Sequence, residues 1–343
     1  MKRTTVLKSA AVLGVASLAL AACGGSSSSD SSSSAAPAES SAAASPSEAA
    51  SSEAPAAAAG TPLYLVDGNT GNALGEKLPA GTLNGVKGTI PGAENTQDFK
   101  DALLAVDPEL VDFAYAPESY DAVILAALAA AKAKSDAGVD MAKEMVAITN
   151  GTEICNDYAG CLALLEEGKA IDYNGRSGAV NFWDAGDPTS ASIGVYQFGP
   201  DNVLLPEVTF MEGEIVPEGD ANPIEGEPQK GANDGTFTVG TLLPITGSLA
   251  FLGPPEVASV QLAIKDIEAA GGIPGFDKIM LEEGDSGDTS TDTATQTVNR
   301  LLGKNVDVII GAASSGVTLS TLDLVTSNGV LQISPANTSP ELT

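Results

Sequence analysis

No histidine occurs among the 343 residues, and that absence removes serine–histidine and cysteine–histidine nucleophiles, imidazole metal sites and imidazole pH switches together. An enzyme on this chain would have to work with carboxylates, lysine or tyrosine. Asp285, Asp288 and Asp292 offer oxygen ligands, but the spacing lacks the glycine and terminal glutamate of a calcium loop, so they read as a solvated connection. Gly271-Gly272 reads as a helix stop, and no phosphate loop or dinucleotide fingerprint stands at a strand-to-helix turn; neither a metal nor a cofactor is expected. Ser314-Ser315-Gly316 follows the apolar run 306–310, where a helix begins. Hydroxyls and backbone N–H groups at such a place can receive a carboxylate, although a plain N-cap would use serine equally well. Asp67 closes the apolar run 63–66 and is either an acceptor for an ammonium group or an Asp-Gly turn residue. Trp183 and Tyr173, in a strand-rich segment, read as core aromatics. The placement of Cys23, Cys155 and Cys161 suggests one modified residue and one pair, not a metal cluster.

The elements that must position these residues occupy only part of the chain. Lys2, Arg3 and Lys8 precede an apolar run at 10–22, too short for a comfortable membrane span and right for a signal-peptide core. The run ends in Leu20-Ala21-Ala22-Cys23-Gly24, which resembles the lipobox of bacterial lipoproteins and implies an acylated Cys23 after a signal peptide at 1–23. Export places the rest in an oxidising compartment, so Cys155 and Cys161 are expected to form a disulfide. Residues 24–60 are nearly all Ser, Ala and Pro and form a tether that cannot bury a core. A folded part is expected at 61–211, an acidic Pro/Gly linker at 212–235 and a second folded part at 236–343. The net charge of −29 opposes nucleic-acid partners and anionic membrane surfaces.

Within the folded parts the periodicity predicts a strand at 63–66, helices at 98–106 and from Pro117 to about Lys134, a short helix ending at Gly168, and β-strands joined by turns over 171–198. After the linker, a strand at 237–243 leads through a glycine-containing loop to a helix with Val257, Val260, Ile264 and Ile267 on one face. A strand at 279–281, a helix around Ala294, Val298 and Leu301, and a buried strand at 306–310 follow. Strands alternating with helices predict an α/β fold with a parallel sheet, whose ligands bind at the carboxyl ends of the strands.

The motifs Pro244-Ile245-Thr246-Gly247, Ala269-Ala270-Gly271-Gly272-Ile273, Asp285-Ser286-Gly287-Asp288-Thr289, Gly311-Ala312-Ala313-Ser314-Ser315-Gly316 and Ile333-Ser334-Pro335-Ala336-Asn337-Thr338 resemble the opening part of type I periplasmic binding proteins of the leucine/isoleucine/valine class. Tyr120-Asp121-Ala122-Val123, the Cys155/Cys161 pair and the run 171–178 through Gly186-Asp187-Pro188 resemble the closing part. The two stretches stand in the reverse of the family's order, and the middle section has no counterpart. The resemblance implies two Rossmann-like lobes with parallel sheets, the second incomplete, and a chain stopping where the first lobe would lead into the second. It further implies an extracytoplasmic solute-binding lipoprotein, not an enzyme, that captures a branched-chain or other small amino acid, or a related amide, for an ABC permease. By the same resemblance Ser315 and Thr338 donate to the carboxylate, the Ala336 carbonyl and Asp67 accept from the ammonium, and Leu252 stands where some relatives carry an aromatic residue. The alternatives are a non-binding remnant of such a protein and a carboxylate-based α/β enzyme.

Overall fold

The structure, a computed structural model, describes residues 62–214 and 234–342; the expected signal peptide with Cys23, the tether and most of the acidic linker lie outside them. Strand β1 (Tyr64–Val66) turns at Asp67–Asn69 into α1 (Asn72–Gly75) and β2 (Lys87–Pro91). Helix α2 (Gln97–Val106) buries Phe99 and Leu103 on one face. Helix α3 (Ala116–Ala133) carries Pro117 in its first turn, where the missing N–H costs nothing, and stops at Lys134 in the left-handed conformation (φ 53°). Then come α4 (Gly138–Thr149), β3 (Glu153–Cys155), α5 (Tyr158–Glu166), β4 (Ile171–Gly175), β5 (Gly178–Ala179), β6 (Ser190–Gln197) and β7 (Thr209–Glu214). Helix α4 goes beyond the sequence reading, although its buried Met141, Met145 and Ile148 do recur at helical spacing. Strand β7 also runs to Glu214, paired with Ser190, past the expected start of the linker at 212.

The later part follows the expected alternation closely. Its elements are β8 (Thr236–Leu242), α6 (Gly253–Ala269), β9 (Lys278–Glu282), α7 (Thr293–Leu302), β10 (Val308–Gly311), α8 (Ser315–Thr326) and β11 (Leu331–Ile333). The four strands form a parallel sheet in the order β11-β10-β8-β9, as helical crossovers between successive strands require. The earlier part departs from an all-parallel lobe. In the sheet β1-β2-β6-β7 only β1 and β2 run parallel, while β2, β6 and β7 pair antiparallel. A direct connection from β6 to β7, without a crossover helix, returns the chain in the opposite direction. The short third sheet is likewise mixed, β3 parallel to β4 and β4 antiparallel to β5.

One core joins the two parts. Leu128 and Ile124 of α3 belong to the same buried cluster as Phe237 of β8, Val260 and Ile264 of α6 and Ile310 of β10. The alanines of α3 let it pack closely against α6 and α4. Polar contacts cross the same seam: the Tyr120 hydroxyl donates to Asp266 Oδ2 (2.7 Å) and the Tyr158 hydroxyl to the Gly272 carbonyl (3.0 Å). At Gly138 the backbones touch, its N–H donating to the Gly329 carbonyl (3.1 Å), and a Cβ there would lie 2.3 Å from that oxygen. Only glycine permits so close an approach.

Asp121 organises the turn between β4 and β5 from inside α3. It is 1% exposed and accepts from the Tyr173 hydroxyl (2.6 Å), the Arg176 N–H (2.9 Å), the Ser177 N–H (2.7 Å) and the Ser177 hydroxyl (2.6 Å). Burial pushes its carboxyl up and these hydrogen bonds pull it back only in part. Tyr173, fully buried, is therefore a core residue, as its sequence context suggests. Cys155 and Cys161 stand in disulfide geometry, their Cα atoms 5.2 Å apart across the start of α5.

Candidate functional site

Three of the five expected ligand-binding residues meet at the carboxyl ends of β10 and β11. Ser314, extended (φ −82°, ψ 123°), is the N-cap of α8, and its side chain makes no capping bond. Ser315 is thus the first helical residue and not the cap. Its hydroxyl oxygen accepts from the Thr338 N–H (3.1 Å) and the Ser339 N–H (3.3 Å). With both acceptor positions taken, its proton is left to donate outward. Ser334 ties the same loop down, donating to the Ala312 carbonyl (2.7 Å) and accepting from the Ala336 N–H (3.2 Å) and the Asn337 N–H (3.0 Å). The Asn337 amide adds bonds to the carbonyls of Ala312 (3.0 Å) and Ala313 (3.1 Å). In the first turn of α8, Val317 and Thr318 donate to the Ser314 carbonyl. The N–H groups of Ser315 and Gly316 are left at the positive end of the helix, with the exposed Thr338 beside them. Such an arrangement can receive a carboxylate.

The other two residues form a separate pair. Asp67 is left-handed (φ 58°), and its carboxylate accepts its neighbour Gly68 N–H (2.9 Å); burial raises its pKa and this bond opposes the rise. That is the turn reading of Asp67, realised while its second oxygen stays available. Gly68 lies against Leu252, where a Cβ would stand 3.1 Å from Leu252 Cδ1. Leu252, just before α6, is 5% exposed and supports the Asp67 turn from below more than it offers an open wall. No direct hydrogen bond joins this pair to Ser315 or Thr338 among the described residues.

Asp285 is spent on structure. It accepts from the N–H groups of Ile245 (3.1 Å), Thr246 (3.0 Å) and Gly287 (2.8 Å) and from the Thr246 hydroxyl, clamping the β8–α6 loop to the β9–α7 connection. Burial works to raise its pKa, and these bonds outweigh it and hold the carboxyl below its usual value. Asp288 is turned to Ser290. Trp183 lines a cavity of about 370 Å³ with Met145, Leu322 and Ile333.

Two acids escape the sequence reading, Glu256 fully buried and Glu118 half-buried with its Oε2 closed off from solvent. Glu118 and Glu256 sit in the first turns of α3 and α6, where sequence alone suggests only a favourable helix-dipole position. Burial pushes Glu118 up to about 8 and Glu256 well above its ordinary range, with Glu118 adding to the Glu256 rise. Their signal in the sequence is faint, two acids at the heads of helices that are otherwise apolar.

Residues 236–343 match the family model described as periplasmic binding protein. A Leu/Ile/Val-binding protein, BraC3, of Rhizobium johnstonii is 32% identical over 107 residues, 31% of this chain and 29% of that protein. The Leu/Ile/Val-binding protein homolog 2 of Brucella abortus is 34% identical over 113 residues, 33% of this chain and 30% of its own length. Among solved structures, the branched-chain amino acid transporter substrate binding protein LivJ of Streptococcus pneumoniae, in complex with isoleucine, is 34% identical with a TM-score of 0.29, covering 31% of this chain and 30% of that one. The match spans about 30% of the length of these relatives, and it contains Ser315, Ala336, Thr338 and Leu252.

Proposed function

We propose, from the match of residues 236–343 to the periplasmic binding protein family model, that the chain is an extracytoplasmic solute-binding protein for a branched-chain or other small amino acid, or a related amide, serving an ABC permease. The observation that carries this reading is the carboxylate receiver at the start of α8: a free Ser315 proton, two unused N–H groups and Thr338 on a loop fixed by Ser334 and Asn337. The hydrogen bonds of Ser334 and Asn337 tie this loop down before any ligand arrives, which lowers the ordering cost of binding. Asp67, with Leu252 beneath it, is the acceptor for the ammonium, and the Ala336 carbonyl is the second. Nothing in this chemistry breaks or forms a covalent bond, so the protein acts by binding and not by catalysis.

Isoleucine, leucine or valine is expected to raise the melting temperature saturably, and titration calorimetry is expected to show one site. Ser315→Ala removes a charge-assisted donor, and Asp67→Asn, which suits the left-handed turn, removes the negative acceptor; each should weaken binding at least about tenfold. Failure of every small aliphatic amino acid to shift the melting temperature would sink this function. Equal affinity in the Ser315→Ala variant would sink the assignment of the carboxylate.

The address belongs to the same proposal. Cys23 is acylated and holds the protein to the outer side of the cell membrane, and the compartment oxidises Cys155 and Cys161 to a disulfide. Cys23→Ser is expected to leave the membrane fraction, and non-reducing mass spectrometry of the exported protein to find the other two cysteines joined. A Cys23→Ser protein that still sediments with membranes, or two free thiols, would be the contrary result.

A further inference from the structure

Four buried oxygens that find no hydrogen-bond partner among the described residues, Thr70 Oγ1, Asn95 Oδ1, Tyr115 OH and Glu118 Oε2, belong to residues lining one cavity of about 260 Å³. It lies between the inner face of the mixed sheet, where Ile90, Tyr196 and Phe210 project, and the segment that leads into α3. Asp67, Leu252, Ser315, Ala336 and Thr338 take no part in it. Leaving a buried polar group unpaired costs about 1–3 kcal/mol, so four in one place point to an occupant that supplies the missing partners. A space of this size is roughly 8 Å across, enough for one small molecule.

The chemistry of the four selects the occupant. Asn95 directs its amide nitrogen to the Phe113 carbonyl (3.5 Å), leaving its oxygen as the open end. The Thr70 and Tyr115 hydroxyls can accept, and Glu118 is a carboxyl. Asp112, also in the lining, is already engaged by the N–H groups of Asn72 (3.0 Å) and Ala73 (3.0 Å). Once Glu118 gives up its proton all four oxygens can accept a hydrogen bond, and the negative charge there, with Glu256 behind it, favours a positive occupant over a negative one. We propose that this cavity is a second ligand site, separate from the cleft residues, that takes a small aliphatic primary ammonium compound held by Glu118, Asn95 and Tyr115. Three N–H donors meet three acceptors, and the short aliphatic tail lies against Ile90 and Phe210.

The groups that face Glu118 set the proton balance. Asp121 within α3, Glu256 from α6 and Tyr196 from β6 interact with it, and Lys100 and Glu94 stand at the cavity wall. Burial holds the Glu118 carboxyl up at about 8, so the unliganded site is protonated at pH 7. An entering ammonium ion takes the place of that proton, which leaves to solvent: one carboxylic acid and one ammonium ion become one ion pair and one released proton.

Propylammonium is a suitable probe, with propanol as the neutral isostere, in titration calorimetry at pH 7 in phosphate and in HEPES. Saturable one-to-one binding is expected, with a heat that differs between the buffers by the release of nearly one proton, and with propanol binding at least about tenfold more weakly. Glu118→Gln is expected to lose about tenfold or more in affinity together with the buffer dependence. Tyr115→Phe, which keeps the ring and the fold, loses several-fold in affinity and keeps the buffer dependence. Excess isoleucine does not compete. Absent saturable binding, equal affinity for propanol, competition by isoleucine, or unchanged affinity in Tyr115→Phe would each overturn the proposal, the last also deciding it should Glu118→Gln fail to fold.

Discussion

Raising the pH from 5 to 8 is expected to lower the melting temperature of this protein steadily. Glu118 is held up at about 8, chiefly by burial with Asp121 adding to it, and Asp307 at about 7, by burial with Asp136 and Asp234 adding and the Thr238 N–H (2.7 Å) opposing. Glu256 is raised well above its ordinary value by burial and by Glu118. Between the ordinary carboxyl range and these folded values the native state holds protons that the unfolded chain has already lost. The stability such groups contribute is complete below about pH 4 and is lost as the pH climbs through their folded pKa values. Each group therefore lowers stability as the pH rises through its window, and the three act in the same direction.

The growing negative charge acts in the same sense, since a chain at −29 repels itself more as its last carboxyls ionise. Asp285 and Asp288 have lowered pKa values. Their contribution is therefore lost only in acid, and across pH 5–8 they add no slope. A melting temperature at least about 5 °C higher at pH 5 than at pH 8 is expected by scanning calorimetry. The Asp307→Asn variant keeps an acceptor for Thr238 and flattens part of the decline. A melting temperature that is constant or rises over this range would show that the three carboxyls ionise freely in the folded protein.

The later part of the fold was legible because each element there carries its own pattern. Val260, Ile264 and Ile267 repeat at helical spacing in α6, and the short, β-branched apolar run of β10 suits a strand buried on both faces. Ser315 could be placed at a helix start for the same reason. The mixed sheet was less legible: β6 falls in the strand-rich stretch expected at 171–198, but β2 contains Gly88 and Pro91 and β7 ends in Glu212, Gly213 and Glu214, and no period separates these two from loops. Its antiparallel order comes from the length and course of connections that composition does not encode. Glu118, Asp121 and Glu256 were invisible as desolvated groups because their surroundings are decided by α3 packing against β4 and against α6 from the other part of the chain. A first-turn acid in a sequence looks the same whether it faces water or another helix.

That packing yields the other large expected effect. Leu128→Ala, at a residue 0% exposed in the middle of α3, should cost about 2–5 kcal/mol, because the alanine leaves a void that helices tied on several sides cannot close. The form of the loss is more informative than its size. Leu128 shares its cluster with Phe237, Val260 and Ile264 from beyond the linker, so the two parts should melt as one, with the calorimetric and van't Hoff enthalpies equal. The opposite face of the parallel sheet supplies the control. Along β10, Val308 and Ile310 enter the cluster of Leu128 while Ile309, pointing the other way, enters the cluster of Leu301 and Val298. Leu301→Ala should therefore lower the same single transition, because a strand cannot lose its packing on one face and keep its register on the other. Two separate transitions, with Leu128→Ala moving only one of them, would mean that the parts on either side of the linker fold independently and that the seam of Tyr120, Tyr158 and Gly138 does not hold in solution.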